Sequence, residues 1–158
     1  MFVRKINSFL SNVTTRLYKE DSNLKNKSLL LEHKVVEDSK GNILIVDDDI
    51  SLTSIMISRY KNKKYSVSVA QNGNDALVFM KYTKFDLMII DYYMDTMYAD
   101  EFIKKAKKID NNIKIIVLLG QKGEEHEVNL MDIGADEILK KPFSPKTMDE
   151  LIKKYIKE

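Results

Sequence analysis

From residue 42 onward the chain alternates between two hydrophobic periods, and this restricts its fold more than any other feature. Short apolar runs over residues 43–46, 85–90 and 113–119 read as strands buried on both faces; residues 65–70 (Tyr-Ser-Val-Ser-Val-Ala) and 137–140 read as two more. Between them lie segments of helical spacing. Residues 50–61 carry Leu52, Ile55, Met56 and Tyr60, and a helix capped by Asn74 and running to Tyr82 carries Ala76, Leu77 and Met80. A third, near 100–108, sets Phe102, Ile103 and Ala106 on one face, and a fourth over 124–133 ends at Gly134, which suits a left-handed position. Ser144-Pro145 opens the last, with Ser as N-cap and Pro in the first turn. Strands apolar on both faces and joined by helices must run parallel and be covered on both sides, because a right-handed crossover packs its helix back onto the sheet. The expected fold is α/β, an open, doubly wound five-stranded parallel sheet, with functional groups beyond the carboxyl ends of its strands where the strand order reverses.

The first strand closes in Asp47-Asp48-Asp49 and the third in Asp91. If the two strands are neighbours, these carboxylates converge at one sheet edge, where like charges about 4 Å apart repel by roughly 4 kcal/mol at an effective dielectric of 20. Such a cluster calls for a cation, and Mg²⁺ is the expected one: it favours carboxylate oxygen and retains waters that phosphate oxygens can replace. Asp49 also suits the N-cap of the following helix.

The 26 Lys and Arg nearly balance the 24 Asp and Glu of the 158 residues, and a net charge of +2 provides no global field for nucleic acid or anionic lipid. Lys104, Lys105, Lys107 and Lys108 read as a solvated helix face. With no cysteine, disulfides and thiolate chemistry are excluded, and no run approaches the ~18 apolar residues of a membrane span. No secretory signal pattern is present either, so the reading is a cytoplasmic protein, without nucleic-acid or membrane partners. No Gly-rich phosphate loop occurs, which argues against a nucleotide-hydrolysing or dinucleotide enzyme. His33 and His126 lack metal-pair spacing.

Residues 1–40 differ from the rest. Val3, Ile6, Leu10, Val13 and Leu17 step by three and four, the seam of an amphipathic helix beginning near residue 2; a homodimer through residues 3–17 is one use of that seam. Glu37-Asp38-Ser39-Lys40-Gly41 reads as a linker. The expected organisation is an N-terminal helical extension with its linker over 1–40 and one domain over 41–158.

That domain resembles the receiver domains of two-component response regulators, on Ile-Leu-Ile-Val-Asp-Asp-Asp at 43–49, Phe-Asp-Leu-Met-Ile-Ile-Asp at 85–91, Gly-Ala-Asp at 134–136 and Lys-Lys-Pro-Phe-Ser-Pro at 140–145. The resemblance implies a flavodoxin-like sheet and names roles. Asp91 matches the phosphoacceptor, a carboxylate nucleophile. Asp47 and Asp48 match the acidic pair that holds Mg²⁺ with Asp91, the backbone carbonyl of Tyr93 completing the protein ligands. Lys141 matches the lysine that pairs with Asp91 and with phosphoryl oxygens, before a Lys-Pro bond that in this family is usually cis.

The pattern breaks at the usual switch positions. Where the family ends its fourth strand in Thr or Ser this chain has Leu119, followed by Gly120; where the fifth strand has Tyr or Phe it has Ile138. After Asp91, Asp95 replaces the usual Pro and Ala99 the usual Gly, which is expected to loosen the loop. Tyr92 and Tyr93 stand beside the acceptor, suited to shielding it or touching a partner. The expected function is therefore a non-enzymatic phosphorelay receiver, taking a phosphoryl group from a histidine kinase or phosphotransfer protein onto Asp91 with Mg²⁺. As the sequence stops at Glu158, output is expected through contacts with another, unidentified protein. The competing reading is a degenerate receiver that serves as a phosphorylation-independent interaction or dimerisation module.

Overall fold

The computed structural model describes residues 39–94, 96–120 and 127–157. The expected N-terminal helix and its dimer seam, His33, Asp95 and His126 lie outside the described residues. In chain order the main elements are β1 (Asn42–Val46), α1 (Ile50–Asn62), β2 (Ser66–Ala70), α2 (Gly73–Tyr82), β3 (Leu87–Asp91), α3 (Ala99–Ile109), β4 (Lys114–Leu119), α4 (Glu127–Asp132), β5 (Glu137–Lys140) and α5 (Pro145–Tyr155). All five strands are parallel in the order β2-β1-β3-β4-β5, so the order reverses between β1 and β3. The doubly wound sheet expected from the two periods is the one observed.

Every residue from Ile43 to Val46 and from Leu87 to Ile90 is fully buried, because each strand interior faces helices on both sides. On one face Ile43, Ile45, Leu87, Ile89, Ile116 and Leu118 pack with Met56 and Tyr60 of α1 and Met148 and Ile152 of α5. Across the same face, Asp149 accepts two hydrogen bonds from the Arg59 guanidinium, at 2.6 and 3.0 Å, and one from Lys63 at 2.9 Å, clamping α5 to α1. The Arg59 bonds hold the Asp149 carboxyl well below the usual carboxylate range, against the opposing effect of its burial.

Element ends moved where side chains or turns took over backbone bonds. The cap of α2 is Asn72 rather than Asn74: its extended backbone lets Oδ1 accept the Asp75 N–H at 2.9 Å, and the helix begins two residues earlier than expected. It enters close to Met97, whose Cγ would lie 2.8 Å from a Cβ at position 73, so any larger residue than Gly73 would force the Met97 side chain to shift. β3 starts at Leu87 rather than at 85, because the Asp86 carboxylate accepts the Asn42 N–H at 2.8 Å in place of a ladder carbonyl. Gly134, with φ +116°, closes α4: its N–H bonds Met131 O and the Ala135 N–H bonds Leu130 O, a Schellman pair. Ser144 caps α5 by accepting the Thr147 N–H at 3.0 Å, with Pro145 in the first turn, as expected.

Candidate functional site

The register that pairs Val46 with Ile90 sets the next residues, Asp47 and Asp91, side by side at the carboxyl edge, where the strand order reverses. Neither residue is near the other in sequence; the adjacency of β1 and β3 alone brings them together. Asp48 completes the cluster, and one oxygen from each of the three carboxylates lies within 4.8 Å of the other two. Asp47 is 2% exposed, Asp91 is half-buried and Asp48 faces solvent, so the group opens to one side.

The turn after β1 is organised by its own acids. The Asp49 N–H donates to Asp47 Oδ1 at 2.8 Å, while Asp49 Oδ1 accepts from the N–H groups of Ser51 and Leu52 at 2.9 and 3.0 Å. Asp49 is therefore the N-cap of α1, and its side chain is committed there. The triple aspartate divides its labour: two face the cluster and the third fixes the helix.

Lys141 arrives from the far edge of the sheet. Its N–H donates to Leu119 O at 2.8 Å, its bond to Pro142 is cis, and its ammonium reaches Asp91 Oδ1 at 2.9 Å and Asp47 Oδ2 at 3.4 Å. Burial lowers the affinity of this amine for its proton, but the hydrogen bond to Asp91 and the charges of Asp47 and Asp91 outweigh it, and the net shift is upward. Burial also pushes the Asp91 carboxyl up, the Lys141 hydrogen bond and charge oppose this, and the neighbouring Asp47 and Asp48 add to the rise, so Asp91 holds its proton more tightly than an ordinary aspartate.

Three carboxylates against one ammonium leave two negative charges uncompensated. The donors are all oxygen, they can close around an ion with bonds of about 2.0–2.1 Å, and the open side leaves room for waters, so the set fits Mg²⁺. The Tyr93 carbonyl, expected as a further ligand, belongs to the segment leaving Asp91.

A carboxyl whose folded pKa is raised contributes stability below the ordinary value of about 3.9 and loses it as pH rises through the raised value. Ionised Asp91 is accordingly a liability in the metal-free protein near neutral pH. Asp91→Asn is expected to raise the melting temperature in EDTA at about pH 7, with the advantage disappearing in acid, and to remove the stabilisation that Mg²⁺ gives the wild type. A variant that melts lower than wild type in neutral EDTA would contradict this account of the cluster.

The segment after Asp91 is more ordered than its sequence implies. Tyr93–Met94 pairs antiparallel with Met97–Tyr98 as a two-residue ribbon, with Met94 and Met97 buried. The sequence pattern predicts an irregular loop here, since two residues per strand cannot display a period of two. The loosening expected from Asp95 concerns a residue outside the described set, but its neighbours are paired. The three rings of Tyr92, Tyr93 and Tyr98 are mutually in contact, with centroids 4.8–6.0 Å apart.

At the switch positions Leu119 is 1% exposed and Ile138 half-buried; neither bears a hydroxyl or an aromatic ring. Among the described residues, a Cβ at Gly120 would meet no atom within 4 Å. Of the α3 lysines, Lys105 pairs with Glu101 at 2.6 Å and Lys107 donates to Ile113 O at 2.7 Å, which commits two of the four to local bonds. No helix among the described residues is long and apolar enough to cross a membrane.

The family model described as the response regulator receiver domain matches residues 43–153. The Response regulator SaeR of Staphylococcus epidermidis is 30% identical over 107 residues, which span 68% of this chain and 46% of that protein; the chain thus covers about half the length of this relative. Among solved structures, the CheY-like response regulator receiver domain protein of Methanospirillum hungatei superposes with a TM-score of 0.70 at 28% identity, covering 73% of this chain and 93% of that one. The chemotaxis response regulator CheY4 of Vibrio cholerae does so with a TM-score of 0.66 at 26% identity, covering 73% and 98% respectively. A parallel sheet in the order β2-β1-β3-β4-β5, an acidic cluster at its switch point and a family match over most of the chain lead to one conclusion: the protein belongs to the response regulator receiver domain family.

Proposed function

We propose that residues 41–158 accept a phosphoryl group on Asp91 from the phosphohistidine of a histidine kinase or phosphotransfer protein, and pass the signal on through protein contacts. The observation that carries this reading is the convergence of Asp47, Asp48 and Asp91 with an ammonium 2.9 Å from the proposed nucleophile. An Asp91 carboxylate oxygen attacks phosphorus, the P–O bond forms as the P–N bond breaks, and the imidazole leaves with the bonding pair. Lys141, held between Asp47 and Asp91, is placed to follow the transferring group and pair with its oxygens, where a fixed cation needs no reorganisation. Asp47 is fixed by the Asp49 N–H and Lys141, so it enters the step already oriented. Mg²⁺, when held by Asp47, Asp48, Asp91 and the Tyr93 carbonyl, supplies the positive charge that lets an anionic phosphoryl group approach three carboxylates. The chain acts as a stoichiometric acceptor, not a turnover enzyme, and it works in the cytoplasm without nucleic acid.

Intact mass measured after exposure to acetyl phosphate and Mg²⁺ tests this. One phosphoryl adduct is expected on the wild type and none on Asp91→Asn, while an adduct equally abundant on both would refute the assignment of the acceptor. One observation favours a second reading, a phosphorylation-independent dock: the buried Leu119 offers no hydroxyl to a phosphoryl oxygen. No adduct on wild type at saturating Mg²⁺ would decide for the dock.

A further inference from the structure

We infer that the ring cluster of Tyr92, Tyr93 and Tyr98 reports the state of Asp91 at the surface, taking the place of the hydroxyl and aromatic pair that Leu119 and Ile138 displace. This rests on Asp91 being the phosphoacceptor.

The backbone next to Asp91 is wired to two elements at once. The Tyr92 N–H donates to Leu118 O at 3.0 Å, tying the end of β3 to β4, and the Tyr92 carbonyl accepts the Ala99 N–H at 3.1 Å, tying it to the first residue of α3. A change in the Asp91 main chain therefore reaches the start of α3 through one residue. The Tyr92 ring, 4% exposed, stacks on Tyr98 with centroids 6.0 Å apart and planes at 22°, and meets the edge of Tyr93 at 4.8 Å and 86°. Tyr93 and Tyr98 also touch each other, at 5.8 Å and 81°, so each ring is in contact with the other two.

Tyr98 is the N-cap residue of α3 and makes no side-chain capping bond; its ring contacts and the Ala99 N–H locate the start of that helix. While Tyr92 is buried, Tyr93 is 40% and Tyr98 56% exposed, which carries any shift of the buried ring to solvent. Among the described residues, the opposite side of the site has no comparable lever. Leu119 is an apolar, buried side chain, its carbonyl is occupied by the Lys141 N–H, and Gly120 has no side chain. From Asp91 through Glu101 the sequence has four acidic residues, Asp91 included, and no basic one, so this segment itself supplies no cation to added negative charge at Asp91.

The test uses the full chain with ring-labelled tyrosine, Mg²⁺ and beryllofluoride or acetyl phosphate, followed by NMR and by intact mass. The Tyr93 and Tyr98 ring signals and the amides of the first turn of α3 are expected to move well beyond those of Tyr60 and Tyr65, which pair with each other on the opposite face. In Tyr98→Ala the phosphoryl adduct is expected to persist by mass while the response of the α3 amides is lost. An adduct that moves Leu119, Gly120 and Ile138 but leaves the Tyr93 and Tyr98 rings unchanged overturns the inference and leaves the phosphoacceptor intact, as does an undiminished α3 response in Tyr98→Ala. Absence of any adduct removes the phosphoacceptor and the inference together.

Discussion

Replacing Lys141 by Met is expected to destabilise the metal-free protein by about 3 kcal/mol, a large share of the roughly 5–15 kcal/mol that holds a domain together. The aliphatic stem is retained, so packing changes little and the loss is electrostatic. Asp47, 2% exposed, and Asp91 would be left facing each other and Asp48 with no cation between them. Breaking a buried pair from one side costs more than the pair itself contributes, because the orphaned charge cannot return to water. Two further results follow from the same cause. Mg²⁺ is expected to bind the variant more tightly than wild type, since a competing cation has gone, and to restore most of the lost melting temperature. Adduct formation from a small phosphodonor is expected to fall by roughly a hundredfold, the usual scale for removing one preorganised charge from a transferring group. Denaturant melts with and without Mg²⁺, and the time course of adduct mass, measure all three. A Lys141→Met protein as stable as wild type in EDTA would mean that solvent already neutralises the cluster.

Phe102→Ala is expected to cost about 3–5 kcal/mol, by lost burial and by the cavity left behind. The ring is fully buried on the inner side of α3, beside Ile103 and Ala106, and its Cδ2 would lie 3.2 Å from a Cβ at Gly73, so α2 and α3 are packed too closely to collapse into the space. The expected signature separates fold from site: below the variant's midpoint, Mg²⁺ affinity should stay near the wild-type value, because the three carboxylates stand at the carboxyl ends of β1 and β3. A matching loss of Mg²⁺ affinity in folded protein would show that α3 supports the cluster directly.

Much of this architecture was legible because burial writes a period into the sequence. The runs at 43–46 and 85–90 are apolar at every position, and the structure buries every residue from Ile43 to Val46 and from Leu87 to Ile90. Gly134 and Ser144-Pro145 also marked their boundaries, since only glycine suits φ +116° and a serine oxygen suits the first orphan N–H groups. Boundaries set by side-chain competition were not legible. Asn72 and Asn74 are equivalent as letters, and only the approach of Met97 and the reach of Asn72 to Asp75 select the first. The pairing of Tyr93–Met94 with Met97–Tyr98 is too short for any period and reads as loop in the sequence, although three tyrosines in seven residues are a signal of contact. For the site, the sequence marked Asp47, Asp48, Asp91 and Lys141 through motif order, and the structure places their charged groups together. The committed side chain of Asp49 needed the cap geometry to separate it from its two neighbours.

By itself the sequence determined the kind of layers and the chemistry available at their edge. Hydrophobic period is a local property, and every carboxylate and amine is written in the chain. What only the tertiary structure decided was which of those groups share a cation's space. Asp47 and Asp91 meet because β1 pairs with β3 in the register Val46 to Ile90, and Lys141 joins them from two strands away. Charge interaction falls off with distance and with solvent, so residues far apart in sequence act on one another's protons only after the sheet has removed the water between them.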